Sequence, residues 1–220
     1  MTTKRHYDDA CASAHALELL GERWALLIVR ELMLGGRRFS DLRAELPGIS
    51  ANVLGQRLEE LEARRVVQRR RLPPPANVQV YELTPWGHDA EPILQALARW
   101  AVRSPHRPAG LPISGVGLLL SFRTMLDLKQ ARGAEAVVGF RFGKAGYLAR
   151  IDRAGCEVMR GEAEQGQCAF NGAPDAVAMA VYGGVLLTEL ETTGSLTVTG
   201  NRGLARRFTT WFPLPQPPLS

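Results

Sequence analysis

The sequence predicts an α+β protein of two domains. Three observations carry that prediction: a first half with apolar residues at helical spacing, a proline-rich break after residue 103, and a second half of short alternating runs between helices. With 220 residues, 45% apolar and 22% charged, the chain has room for one large or two small cores. The segment 103–112 holds three prolines and a glycine between two periodic stretches, which is how an interdomain linker reads. Domains of residues 1–108 and 109–220 are expected.

In the first half, residues 11–20 and 22–34 carry Leu17, Leu20, Trp24, Leu27, Ile28 and Leu32 at helical spacing, with Gly21 between them and Gly35-Gly36 closing the second. A short helix over 39–46 stops at Pro47-Gly48. Ser50 then caps a longer one over 51–64, where Leu54, Leu58 and Leu61 share a face. Two helices around a Pro-Gly turn make a helix-turn-helix. Runs at 66–72 and 78–83 flank Pro73-Pro74-Pro75 and read as a hairpin, or wing. Thr84 and Pro85 supply a cap and a proline at the first helical position, opening a single helix with a stripe of Ile93, Leu94, Leu97 and Trp100. So small a core leaves part of that stripe to pack against a second subunit.

The second half predicts a helix over 111–130, strands over 137–142, 147–152 and 156–160, and a fourth strand near 167–171. Helices over 175–182 and 185–190, a strand over 196–200 and a last helix over 202–211 follow.

Composition excludes several function classes. Cys11, Cys156 and Cys168 contain no CxxC pair, which leaves neither a disulfide framework nor a four-cysteine zinc site. The longest charge-free apolar stretches, 109–122 and 176–188, are shorter than the ~18 to 20 residues of a membrane span, and the first nine residues carry no apolar signal core. A cytoplasmic protein without membrane contact is expected. The net charge is +5, and all but Lys4, Lys129 and Lys144 of the 27 basic residues are arginine, the side chain best shaped for forked phosphate contacts. His6, His15, His88 and His106 are scattered without ligand spacing. GxSxG, HExxH and phosphate-loop patterns are absent. The expectation is therefore no enzyme, no metal and no cofactor.

If the Leu54, Leu58 and Leu61 face is buried, Asn52 and Gln56 lie nearly opposite, where an exposed polar stripe reaches base edges; both types pair bidentately with adenine. Arg57 lies at the flank and suits phosphate, as do Arg37 and Arg38 before the first helix of the motif. Ser40 either caps that helix or also donates to phosphate, and Ser50 completes the candidate set on the motif. Arg69, Arg70 and Arg71 alternate faces on a strand, so one or two of them face DNA.

Cys11, LLGERWALLIVREL over 19–32, GRRFSDL over 36–42, LPGISANVL over 46–54, RLEEL over 57–61, YELTPWG over 81–87 and LARWA over 97–101 together resemble the HxlR-type winged helix-turn-helix regulators of bacteria. The resemblance runs through about residues 8–103. It implies a homodimer on double-stranded operator DNA with inverted-repeat symmetry. Arg65 departs from it, because members usually turn into the wing with Gly. The resemblance also implies that Cys11 stands where some members sense oxidants, with Arg5 or His15 as sources of positive charge; a small packing residue is the other reading. Over about 112–214, FNGAPD at 170–175, the Gly183-Gly184 helix end, GSLTVTGNR at 194–202 and FTTWF at 208–212 resemble the sterol carrier protein-like fold, an α/β sandwich that encloses a lipidic cavity. Phe122, Met125, Leu148, Met179, Leu186, Phe208 and Trp211 then either line a pocket or simply form core.

A dimeric transcription regulator whose second domain senses an apolar small molecule is the leading expectation. The alternative is a lipid or apolar-ligand carrier whose first domain only dimerises. A hydrolase or transferase hidden in the second domain is a third.

Overall fold

A computed structural model describes residues 7–108 and 110–218, and the class is α+β. Contacts divide the chain into two compact units, Met1–Leu94 and Gln95–Ser220. The division falls inside a helix rather than in the proline-rich segment 103–112. The end of that helix is tied into the second unit: Arg99 Nε donates to the Thr124 carbonyl at 3.0 Å and Arg103 Nε to that of Gln216 at 2.9 Å.

The first unit opens with α1 (Ala12–Leu20) and α2 (Ala25–Leu32), joined by a turn in which Gly21 N–H returns to the Leu17 carbonyl and Trp24 takes the left-handed φ of 80°. α3 (Phe39–Glu45) and α4 (Ala51–Ala63) follow around Pro47-Gly48, and Ser50 Oγ accepts from Val53 N–H at 3.2 Å to cap α4. β1 (Val67–Arg71) and β2 (Gln79–Leu83) make the antiparallel wing, with Gln68 opposite Glu82 and Arg70 opposite Val80. Arg37 extends this sheet through paired 2.8 Å backbone bonds with Tyr81. Leu54, Leu58 and Leu61 are buried with Ile28, Val29, Leu32 and Leu42, and they form the core against which the wing closes.

Where one helix is expected after Thr84, two form: α5 (Pro85–His88) and α6 (Glu91–Ala101). Pro92 explains the break. It has no N–H for the His88 carbonyl, and its ring would collide with that carbonyl in a continuous helix.

In the second unit, α7 (Gly115–Met125) begins at Ser114, whose Oγ accepts from Gly117 N–H at 3.0 Å. The expected helix over 111–130 ends early, because Leu126 turns extended and Asp127 starts α8 (Leu128–Ala131) by accepting from Lys129 N–H at 2.8 Å. β3 (Ala136–Phe142), β4 (Ala145–Asp152) and β5 (Gly155–Arg160) form the expected meander. After a one-turn helix at Ala163–Gln165, β6 (Cys168–Gly172) lies parallel to β3. α9 (Pro174–Tyr182) and α10 (Leu187–Thr192) lead to β7 (Leu196–Gly200), and α11 (Arg202–Phe208) closes the fold. The order β5-β4-β3-β6-β7 makes a mixed five-stranded sheet. Both edges are blunted by arginine: Arg123 donates to the Val158 carbonyl on β5, and on β7 Glu191 and Arg202, paired at 2.5 Å, engage the N–H and carbonyl of Val198.

The junction of wing and helix is the tightest point of the first unit. Thr84 Oγ1 donates to the Arg65 carbonyl at 2.7 Å and accepts from Gly87 N–H at 3.0 Å, while a Cβ on Gly87 would fall far inside contact with the Val66 carbonyl. Arg65 itself holds a φ of 59°, the left-handed conformation that the usual glycine would adopt freely. We expect Gly87→Ala to lose about 1 to 3 kcal/mol. Arg65→Gly should gain about 1 kcal/mol, because relief of strain exceeds the added chain entropy. Urea unfolding of the full chain checks both signs.

Candidate nucleic-acid interface

Burial of Leu54, Leu58 and Leu61 turns the opposite side of α4 outward, and both Asn52 and Gln56 are exposed there. Gln56 Nε2 donates to Glu60 Oε1 one turn on, at 3.2 Å. Ser50, exposed at the start of the helix, accepts the capping bond with its Oγ and keeps its O–H as a donor. The polar face expected for base reading is therefore present at the first two turns of α4.

Arg57 is turned inward rather than held out at the flank. Its side chain is only 14% exposed; it pairs with Glu60, and its second terminal nitrogen reaches Glu22 Oε2 at 3.3 Å. It locks α4 to the residues before α2. Ser40 is corrected as a cap: α3 starts at Phe39 with Arg38 at its N-cap, so Ser40 lies inside the first turn, where its Oγ donates to Asp41 Oδ1 at 3.3 Å. Arg38 is exposed, whereas Arg37 is partly buried and serves the wing with its backbone.

Along β1 the three arginines alternate as expected. Arg69 and Arg71 share one face and Arg70 the other. Arg69 stands over the Tyr81 ring at 5.6 Å and pairs with Glu62 Oε2 at 2.9 Å. Arg70 pairs with Glu82 Oε2 at 2.7 Å, and Arg71 donates to Asn77 Oδ1 at 2.9 Å. All three are exposed. The carboxylates of Glu22, Glu60, Glu62 and Glu82 are the residues that sequence reasoning missed. The pairing of Glu60 with Gln56 and Arg57 is readable from spacing along the helix. That of Glu82 with Arg70 needs the register of the hairpin.

Cys11 is exposed at the N-cap of α1, where hydrogen bonds from the backbone and side chain of Ser13 and the backbone of Ala14 hold its thiol below the ordinary value. Burial instead pushes Cys156 up to about 12 and Cys168 up to about 11. His15 lies 3.5 Å from Glu18, while Arg5 and His6 lie outside the described residues. Among the described residues no group of three or more His, Cys, Asp or Glu side chains is arranged to hold a metal ion. No described helix is long and apolar enough to cross a membrane.

The seven apolar residues marked in the second half do not share one environment. Phe122, Phe208 and Trp211 are packed into an aromatic cluster with Phe140, Phe170 and Phe212; Phe122 and Phe212 are 4.7 Å apart, Phe122 and Phe208 5.2 Å. Met125 is buried and Leu148 partly so, but Met179 and Leu186 face solvent. On α9, Tyr182 reaches the cluster, and its hydroxyl bonds Ser121 Oγ at 2.7 Å; desolvation drives its pKa upward.

Comparison with known proteins agrees with the first unit. The profile of HxlR-like helix-turn-helix proteins matches residues 19–107. The uncharacterized HTH-type transcriptional regulator YvaP of Bacillus subtilis is 42% identical over 87 residues, which are 39% of this chain and 80% of YvaP. The HTH-type transcriptional regulator YodB of the same organism is 38% identical over 86 residues, 39% of this chain and 77% of YodB. The solved reduced form of YodB is 34% identical, covers 44% of this chain and 97% of its own, and superposes with a TM-score of 0.40. With a relative at 42% identity matched over four fifths of its length, and with helix-turn-helix, wing and α6 in the expected order, this chain belongs to the HxlR-like helix-turn-helix family.

Proposed function

We propose that the chain is a transcription regulator that binds double-stranded operator DNA through α4 and the wing. The observation that carries the reading is the exposed polar face of Asn52 and Gln56 on a helix whose opposite side is fully buried, beside a wing with three exposed arginines. The family and the regulators YvaP and YodB support it. Asn52 and Gln56 read base edges, while Arg38 and one or two of Arg69, Arg70 and Arg71 contact phosphate, Ser50 orders the helix start and Arg57 holds α4 in position. The reading requires no catalytic step, metal or cofactor. A carrier function, in which the first unit only dimerises, leaves this polar face unexplained.

A homodimer on an inverted repeat is part of the same proposal. Ile93, Leu97 and Trp100 lie on one face of α6 and are 46%, 43% and 75% exposed, and no residue of that helix is buried. An amphipathic helix with its apolar side in water calls for a partner, and a two-fold axis places two recognition helices on successive major grooves about 34 to 36 Å apart.

For the second unit we keep the sterol carrier protein-like reading, with an apolar small-molecule effector. It is supported by the mixed sheet with its helices and by exposed Met179 on the helix whose Tyr182 reaches the aromatic cluster. An effector that regulates must bind the free and operator-bound protein with different affinity, and linkage makes the effect reciprocal.

Selection of bound duplexes from a random pool tests the central claim. On the selected site, Gln56→Ala should lose about 1 to 3 kcal/mol of discrimination at one position per half-site, whereas Arg70→Ala weakens all duplexes alike. Equal discrimination with and without the Gln56 side chain would remove α4 as the reading helix. Sedimentation should give a dimer at micromolar concentration that Trp100→Glu converts to monomer; a monomeric wild type that binds one half-site as tightly as the full repeat contradicts the dimer. A fluorescent fatty-acyl probe should saturate, with an affinity that changes when operator is added.

A second reading of Cys11, as an oxidant-sensitive thiol, is favoured by its exposure and lowered pKa. The lowered value keeps more thiolate at neutral pH. Iodoacetamide at pH 7 should therefore modify Cys11 well before Cys156 or Cys168 in the folded protein, as read by mass spectrometry. Equal rates at all three would leave Cys11 as an ordinary surface residue.

A further inference from the structure

We propose that Glu62 and Glu82 act as built-in stand-ins for DNA phosphate, which engage the wing arginines Arg69 and Arg70 in the free protein and hold down its affinity for duplex of any sequence. This inference rests on the DNA-binding reading above and adds a means of regulating it.

Two of the three exposed arginines on β1 already end on a carboxylate: Arg69 Nε is 2.9 Å from Glu62 Oε2, and Arg70 Nε is 2.7 Å from Glu82 Oε2. Glu82 also accepts from Gln68 Nε2 at 2.9 Å, directly across the ladder. Arg71, which donates to the neutral Asn77, is the exception on the strand.

The guanidinium fork fits carboxylate and phosphate with the same geometry. A phosphate that takes Arg70 must displace Glu82, and the displaced carboxylate remains close by as a like charge. Each such exchange subtracts from the counterion-release term on which sequence-independent binding depends. Because the exchange is the same on every duplex, it lowers affinity without changing base preference. It also keeps the arginines ordered on a wing that would otherwise present bare positive charge to any polyanion.

The test uses the full chain and two duplexes, one selected from the random pool and one scrambled duplex of equal length. Glu82→Gln keeps the shape and the hydrogen bond to Gln68 but releases Arg70. It should tighten binding to both duplexes by the same factor, roughly two- to fivefold, which is what an exposed ion pair is worth. The slope of log K against log salt should steepen by up to about 0.9, one further phosphate neutralised. Glu62→Gln should do the same through Arg69 and serves if Glu82→Gln does not fold. Glu135→Gln is the control, because Glu135 is exposed in the second unit, outside α4 and the wing, and its removal changes net charge equally. Equal gains from Glu135→Gln would make net charge the cause and overturn the proposal. So would an unchanged affinity and salt slope in both Glu82→Gln and Glu62→Gln while the wild type still binds its selected duplex. A wild type that binds no duplex removes the DNA-binding reading itself, and this inference with it.

Discussion

Burial of Leu54, Leu58 and Leu61 is the constraint on which the first unit depends. Each side chain is at most 1% exposed, and together with Ile28, Val29, Leu32 and Leu42 they set the rotation of α4 about its own axis. A helix has only one outward side once its apolar stripe is committed, so the positions of Asn52 and Gln56 follow from packing and need no further interaction. Rotation of α4 by one residue would put leucine in water and amide in the core. Burial of a leucine is worth about 1.5 to 3 kcal/mol, and the loss of three such terms far exceeds any gain from the polar face.

The wing is held to that core by backbone as much as by side chains. Val66, Val67, Val80 and Leu83 are buried, yet the register of the hairpin relative to α4 and α5 is decided where Thr84 bridges Arg65 and Gly87 and where Gly87 admits the Val66 carbonyl. That junction places Arg69 near Glu62 at the end of α4, and the ladder places Arg70 near Glu82. The charged wing is thus assembled by two separate devices, a helix end and a strand pairing, and each brings a carboxylate to an arginine on one of its two faces.

The second unit is organised differently. Its sheet is covered by an aromatic cluster in which Phe122 touches Phe140, Phe208 and Phe212, drawing α7, β3, α11 and the closing segment together. Aromatic rings bury large areas on few rotatable bonds, which suits a core assembled from elements far apart in sequence. Gly139 and Gly166 let the turn at Ala163–Gln165 lie against β3, since a Cβ on either would strike backbone there. The parallel pairing of β3 with β6 follows from this crossing.

Local signals determined much of this protein. Apolar spacing, the Ser50 and Thr84 caps, Pro47-Gly48 and the turn glycines marked every strand and most of the helices within a few residues, because those signals act between neighbours along the chain. They also marked Asn52 and Gln56, which share one helix with the stripe that orients them. Tertiary structure alone decided what depends on contact between distant residues. The break at Pro92 is a local signal as well, but Asp127 N–H bonds the Trp211 carbonyl at the end of α7, and Arg57 was drawn to Glu22 at the turn before α2. It buried Phe122, Phe208 and Trp211 while leaving Met179 and Leu186 in water, although all five read alike as apolar residues at helical spacing. Periodicity shows that a face is apolar, but what covers that face is set by the packing of elements that no local pattern relates.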